Sequence, residues 1–385
     1  MKTGSVKELF AHYKGTAPGF DALRLILASA ILIYHAIHIC QTYHPISSAP
    51  FPDNFDFYDS HELWLKPLAR SFLLMFFFMG GFLVTGSALR VKSLKVFMVF
   101  RFFRVAPALF VEVVLSALLL GAFYTTLPLN QYYTHPQFFK YFLNIVGDVQ
   151  FYLPGVFTDG AIYDSFNSIV NGNLWTMPLE LLAYAIIGVL ALLHLVSSRR
   201  RFLGLFILIS LIVVAIQIVN PHQMISQLTL GINVAGFLQI YSFMTGACVY
   251  LFSEKIFISK KGIFLAVISL TFLKWDQTII LGVWAACYLS LCAGFMNLKK
   301  LPIIRHGDYS YGVYLYGFPI ERGLYISFPI LREWLPLACA AMSVTLVLAI
   351  FSWHLVEKPV LELKRKLWPK IGHPHLSYKL DTLPS

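Results

Sequence analysis

Apolar runs, most of them about 20 residues long, follow one another along this chain, separated by short polar and basic stretches. They fall near residues 22–42, 69–90, 102–127, 176–197, 202–219, 230–252, 262–275, 277–297, 309–330 and 335–356. A helix of about 20 residues crosses a ~30 Å hydrocarbon layer, and in lipid only a helix satisfies its own backbone hydrogen bonds along one segment. Each run therefore predicts a transmembrane helix. The expected fold is an all-α polytopic membrane protein of about ten spans. It forms a single domain over residues 1–362, followed by a short basic tail, 363–385.

Composition strengthens this picture. The chain is 58% hydrophobic and 13% charged, against about 45–50% and about 25% in soluble domains. Charge then orients it: with the N-terminus inside, 24 of the 30 Lys and Arg sort to the inner side. Positive residues favour the cytoplasmic face, so both termini are expected there. The net charge of +11 is thus a topology signal matched to anionic lipid, and no basic soluble module points to nucleic acid. The first apolar run lacks a small-residue cleavage site and reads as a retained signal anchor. Cys40, Cys248, Cys287, Cys292 and Cys339 lie in or beside apolar runs without metal-ligand spacing, and read as small core residues. Two outer segments, Gln41 to Leu68 and Pro128 to Leu174, interleave carboxylates with aromatic rings. A sugar-binding surface needs that mixture, and a solvated loop shares it.

Ionisable groups inside a span cost about 2.5–3.5 kcal/mol each on insertion scales and so require a reason. The first span holds Asp21, Arg24, His35 and His38 on one stripe. Arg24 and His35 lie about 20° from the same bearing and ~16 Å apart along a helix, which puts Arg24 near the inner interface and His35 deep. A neutral imidazole can take a proton from a hydroxyl, so His35 suits general-base chemistry, with His38 as a weaker second; the structural alternative is packing. Arg101 and Arg104 sit one turn apart at the inner mouth of the third span, where paired guanidinium groups suit phosphate but also satisfy topology. Trp175 and Pro178 mark the start of the fourth span, with Trp175 suited to an outer aromatic belt. Glu180 then lies one turn inside, at the depth expected for His35, and could support the histidine or bind acceptor hydroxyls. Glu112 is a helix-pairing candidate, and Gly80-Gly81 predicts close helix packing.

Six motifs in order resemble the acyltransferase family 3 membrane proteins across residues 18 to 362. They are Phe20 to Arg24 with His35, Phe76 to Leu83, Arg101 to Pro107, Leu174-Trp175 with Glu180, Tyr309 to Leu315, and Val356 to Pro359. The resemblance implies an enzyme that O-acylates extracytoplasmic glycans such as O-antigen or exopolysaccharide, usually from acetyl-CoA. It matches Arg24 and His35 to the family's essential first-helix pair, and Arg101 and Arg104 to its donor-side arginines. Two positions depart from the family's pattern: Gly80-Gly81-Phe82 replaces a frequent Ser-Gly-Phe, and Gly317 stands where a histidine is frequent. The chain also ends without the hydrolase-like domain appended in larger members.

The reading that follows has acetyl-CoA as donor, with no permanently bound cofactor and no metal. Arg101, Arg104 and Arg24 hold the donor, and His35 acts as base with Arg24 and Glu180 in support. Trp175, His38 and Glu180 contact a glycan or glycolipid acceptor in a bacterial inner membrane. Association between copies of the chain is left open. A proton-coupled transporter of a small anion is the rival, and it predicts inverted repeats that the sequence does not display; a non-catalytic scaffold is a third option.

Overall fold

The computed structural model describes residues 4–13, 17–42, 66–91, 93–158, 168–219, 234–296 and 306–367. A short helix, α1 (Val6–His12), precedes four long ones: α2 (Phe20–Thr42), α3 (Lys66–Arg90), α4 (Leu94–Leu115) and α5 (Met177–Leu192). These are followed by α6 (Arg199–Val219), α7 (Val234–Leu251), α8 (Lys260–Ser269), α9 (Ile279–Gly294), α10 (Ser310–Ser327), α11 (Trp334–Ser352) and α12 (Lys358–Leu367). Each apolar run of the sequence overlaps one of them within the described residues. Six helical stretches are long and apolar enough to cross a bilayer: Phe20–Gln41, Pro67–Arg90, Leu94–Tyr124, Gly172–Leu192, Arg199–Val219 and Trp334–Leu363. Gly236–Leu251 and Ile279–Gly294 are shorter apolar helices. The chain is an integral membrane protein.

Among the described residues the all-α fold is interrupted by an isolated bridge between Thr125 and Val156 and by one short ladder. Gly4–Ser5 and Phe257–Ile258 form a two-residue antiparallel ladder, Gly4 facing Ile258 and Ser5 facing Phe257. Ser5 also caps α1 in a reciprocal pair with Glu8, a local arrangement that satisfies two exposed helix-end donors.

Small residues set the central packing. A Cβ on Gly81 would strike the Phe243 backbone, and one on Gly246 would strike the Phe78 backbone, so α3 and α7 lie backbone against backbone. In lipid, where burying apolar surface drives little, such close approach supplies the dispersion energy of association. Helix α6 is the opposite case. Only 11% of its apolar window is buried, against 56% for α2, so α2 sits centrally and α6 faces outward.

Several helices are locally irregular. Helix α4 passes through a π turn, Ser116–Leu120, before a last helical turn, Gly121–Tyr124; a second π turn, Trp353–Glu357, joins α11 to α12. Each lies beside a buried glutamate, Glu112 and Glu357. In α10, Pro319 offers no N–H to the Leu315 carbonyl four residues earlier. That carbonyl instead accepts from the Asn171 side chain at 3.0 Å.

The outer segment Gln41 to Leu68 lies largely outside the described residues. The other, Pro128 to Leu174, is described except for 159–167. Its short helices Leu129–Thr134 and Pro136–Tyr141 turn Tyr132, Phe138 and Tyr141 into the core, and Tyr132 donates to the Ala117 carbonyl at 2.6 Å. These three rings serve packing.

Candidate functional site

A cavity of about 490 Å³ lies among α2, α3, α4, α5 and α10. Rings from Phe76, Phe77 and Phe243 form apolar walls, while Arg24, Arg101, Arg104 and Glu180 supply charge. Leu361 of α12 closes part of one end.

The arginines are held by carboxylates from distant parts of the chain. Arg104 pairs with Asp308 and, at 3.5 Å, with Glu357. Arg24 pairs with Asp21 at 3.3 Å and with Asp308 at 3.5 Å, so Asp308 bridges two guanidinium groups. Ser310 Oγ donates to Asp308 at 2.5 Å, and Ser352 Oγ donates to Glu357 at 3.4 Å. Burial works against the charge on Asp308, but Arg104 and Arg24 overcome it and hold its carboxyl below the ordinary value. Segments that the charge sorting assigns to one side of the membrane thus meet at one end of the bundle.

Arg101 and Arg104 both face the cavity but are held differently. The Arg101 guanidinium sits over the rings of Phe97 and Tyr184, at 5.7 and 5.8 Å from their centroids. The same guanidinium also donates to Ser87 Oγ at 3.5 Å. Tyr184 donates to Glu180, and the charge neighbours of Glu180 are Arg104, Arg101 and Arg24.

His35 occupies a separate position. Arg24 and His35 share the unbroken helix α2, but neither His35 nor His38 is among the cavity-lining residues. The His35 ring meets Phe318 edge-on at 5.1 Å between centroids. His38 is buried, with its ring parallel to Tyr34 at 6.4 Å. The Asn173 backbone carbonyl accepts from Thr176 at 3.1 Å and from the Tyr314 hydroxyl at 3.3 Å, and both of those residues line the cavity.

The turn carrying Asn173 is built from a short sequence. The Asn171 side chain accepts from the Asn173 N–H at 3.0 Å, opening the 3-10 turn Gly172–Thr176 that feeds α5. The Asn171 amide donates to Glu112 at 2.8 Å as well as to Leu315, and Ser116 Oγ donates to the same Glu112 oxygen at 2.7 Å. The Asn173 amide donates to the Tyr314 carbonyl at 2.6 Å. Glu112, read from sequence as a helix-pairing residue, is thereby tied to the turn beside His35.

Glu180 lines the cavity together with the arginines. Trp175 is half-buried against the core. Asp308, Glu357, Tyr184, Asn171 and Asn173 carry the site and were not singled out by sequence. Asp308 immediately precedes the Tyr309 to Leu315 motif and Glu357 lies inside the Val356 to Pro359 motif; the asparagines carry no signal beyond an Asn-Gly-Asn turn.

A family profile described as an acyltransferase domain matches residues 18–354. An O-acetyl transferase from Shigella phage Sf6 is 27% identical over 352 residues, covering 89% of this chain and 95% of the relative. Nodulation protein 10 from Rhizobium leguminosarum bv. viciae is 27% identical over 392 residues, covering 92% and 96%. No solved structure matches.

Proposed function

We propose, on the premise that this chain belongs to acyltransferase family 3, that it is an O-acetyltransferase. It moves acetyl from acetyl-CoA to a hydroxyl of a cell-envelope or secreted glycan or glycolipid. The observation that carries this reading is a cavity lined by Arg24, Arg101 and Arg104, the first of which shares the unbroken helix α2 with His35. The name of the phage relative supports acetyl as the group moved.

Arg101, Arg104 and Arg24 bind the phosphates of the donor, which enters at the end where Asp308 and Glu357 hold the arginines. That end faces the cytoplasm of a bacterial plasma membrane, in keeping with the positive-inside sorting. Glu180 accepts from amide N–H groups of the pantetheine arm, and the apolar walls suit its carbon chain. His35 takes the proton from an acceptor hydroxyl arriving from the outer side. The hydroxyl oxygen attacks the thioester carbonyl, the C–S bond breaks, and the proton passes from imidazolium to the departing CoA sulfur.

The test uses the full-length protein in lipid nanodiscs with isotopically labelled acetyl-CoA and a panel of cell-envelope glycans, the ester being located by mass spectrometry. Labelled O-acetyl on a glycan, absent with His35→Ala, is the expected result. Anion uptake into sealed vesicles without CoA, and no ester on any glycan, would overturn the proposal.

A further inference from the structure

The two oxygens of Asp308 have separate tasks. Oδ1 accepts from Ser310 Oγ at 2.5 Å, in the first turn of α10. Oδ2 takes two guanidinium groups, that of Arg104 and, at 3.5 Å, that of Arg24. Arg104 is engaged at both tips of its fork, Nη2 by Asp308 and Nη1 by Glu357 at 3.5 Å. A phosphate that uses this fork therefore meets carboxylates already in place. The two are not equally able to yield: the Glu357 side chain is 2% exposed, that of Asp308 18%.

The balance of groups sharpens the point. Arg24, Arg101 and Arg104 face the cavity, and against them stand three carboxyl groups, Glu180 on its wall with Asp308 and Glu357 on the arginines. Guanidinium groups matched one for one by carboxyl groups exert little pull on an incoming polyanion. A fork recognises phosphate strongly when its N–H donors are given over to it.

We infer that Asp308 is a specificity-determining residue that keeps the place of donor phosphate: without donor its Oδ2 holds Arg104 and Arg24, and a phosphate group of the donor takes both arginines by displacing it. This rests on the proposed binding of acetyl-CoA phosphates by these arginines. One oxygen serves both guanidinium groups, so one displacement opens both. The displaced carboxylate keeps a tether, because Ser310 holds the other oxygen, and it stays beside the positive end of the α10 dipole. Glu357, deeper, remains on Arg104 and ties it to the π turn. A monoanion offers the arginines no more than the carboxylate it would replace, whereas a phosphate group brings more charge and three acceptor oxygens. The exchange thus favours a thioester donor that carries phosphate over one that does not.

The test uses the full chain in nanodiscs with two probes, acetyl-CoA and S-acetylpantetheine, which has the thioester arm and no phosphate. Asp308→Asn keeps an acceptor for Ser310 and removes the competing charge. By isothermal titration it binds acetyl-CoA about tenfold more tightly than the native protein, the gain expected when one charge-assisted contact no longer has to be given up. Its affinity for S-acetylpantetheine stays native. A second measurement needs no variant: carbodiimide-driven amidation of the native protein, mapped by mass spectrometry, rises at Asp308 when acetyl-CoA is added and does not change with S-acetylpantetheine. Unchanged or weaker acetyl-CoA binding in folded Asp308→Asn, an equal gain for S-acetylpantetheine, or protection of the Asp308 carboxyl by acetyl-CoA would overturn the inference and leave the proposed function standing. Absence of acetyl-CoA binding by the native protein would instead overturn the proposed function.

Discussion

Asn171 donates to Glu112 at 2.8 Å across 59 residues of sequence, joining the turn before α5 to the last turn of α4. The same Asn171 side chain accepts from the Asn173 N–H. The bond to Glu112 predicts an asymmetry among substitutions. Glu112→Gln keeps an acceptor for both Ser116 and Asn171, so its thermal midpoint in nanodiscs stays near the native one. Glu112→Leu leaves the Asn171 amide and the Ser116 hydroxyl without that acceptor and costs about 1–2 kcal/mol, read as a lower midpoint. Equal melting of the two variants would contradict the bond.

His35→Ala lowers acetyl transfer about 10²- to 10⁴-fold while acetyl-CoA still binds, because base catalysis is lost and the arginines are untouched. His38→Ala, removing a residue stacked on Tyr34, produces a smaller loss. Single-turnover rates and equilibrium binding, measured on the same preparations, separate the two effects.

Replacing Arg101 and Arg104 together with Gln weakens acetyl-CoA binding by at least tenfold, the loss expected for about 1.4 kcal/mol of charge-assisted contact. Isothermal titration with acetyl-CoA reads the change directly. Unaltered donor affinity would remove the phosphate role from this pair.

Asp308 gives a pH dependence whose sign follows from its depressed folded value. A carboxyl held low by Arg104 and Arg24 stabilises the folded state above its ordinary unfolded value, about 3.9. That stabilisation is lost as pH falls below that value and through the lower folded one. The melting difference between the native protein and Asp308→Asn is therefore largest near neutral pH and shrinks as the medium is taken below about pH 4. A difference that stays constant with pH would place its origin outside this charge.

Much of the scaffold is readable from the chain because helix length and apolarity are local properties. The runs at 22–42 and 69–90 needed no partner to be recognised, and Arg24 and His35 share a face because α2 runs unbroken between them. Gly81 is likewise readable as a close-packing residue, although its counterpart Gly246 is not. What stayed hidden depends on distant contacts. Asp308 lies 204 residues from Arg104, and nothing local marks it as the bridge between two arginines. Tyr184, which donates to Glu180, carries no local signal either. Asn171 and Asn173 look like turn formers, and their value comes from two carbonyls of another helix, that of Leu315, freed by Pro319, and that of Tyr314.

That freed carbonyl bears on how the protein is made. Leu315 is synthesised 144 residues after Asn171, which at ~5–20 residues per second is a wait of roughly 7–30 s. During that interval α4 and the turn before α5 exist without α10 to complete them. Glu357 emerges later still. Assembly of the candidate site is thus among the last events of biosynthesis, and a nascent chain halted before α10 leaves the Asn171 amide without the Leu315 carbonyl.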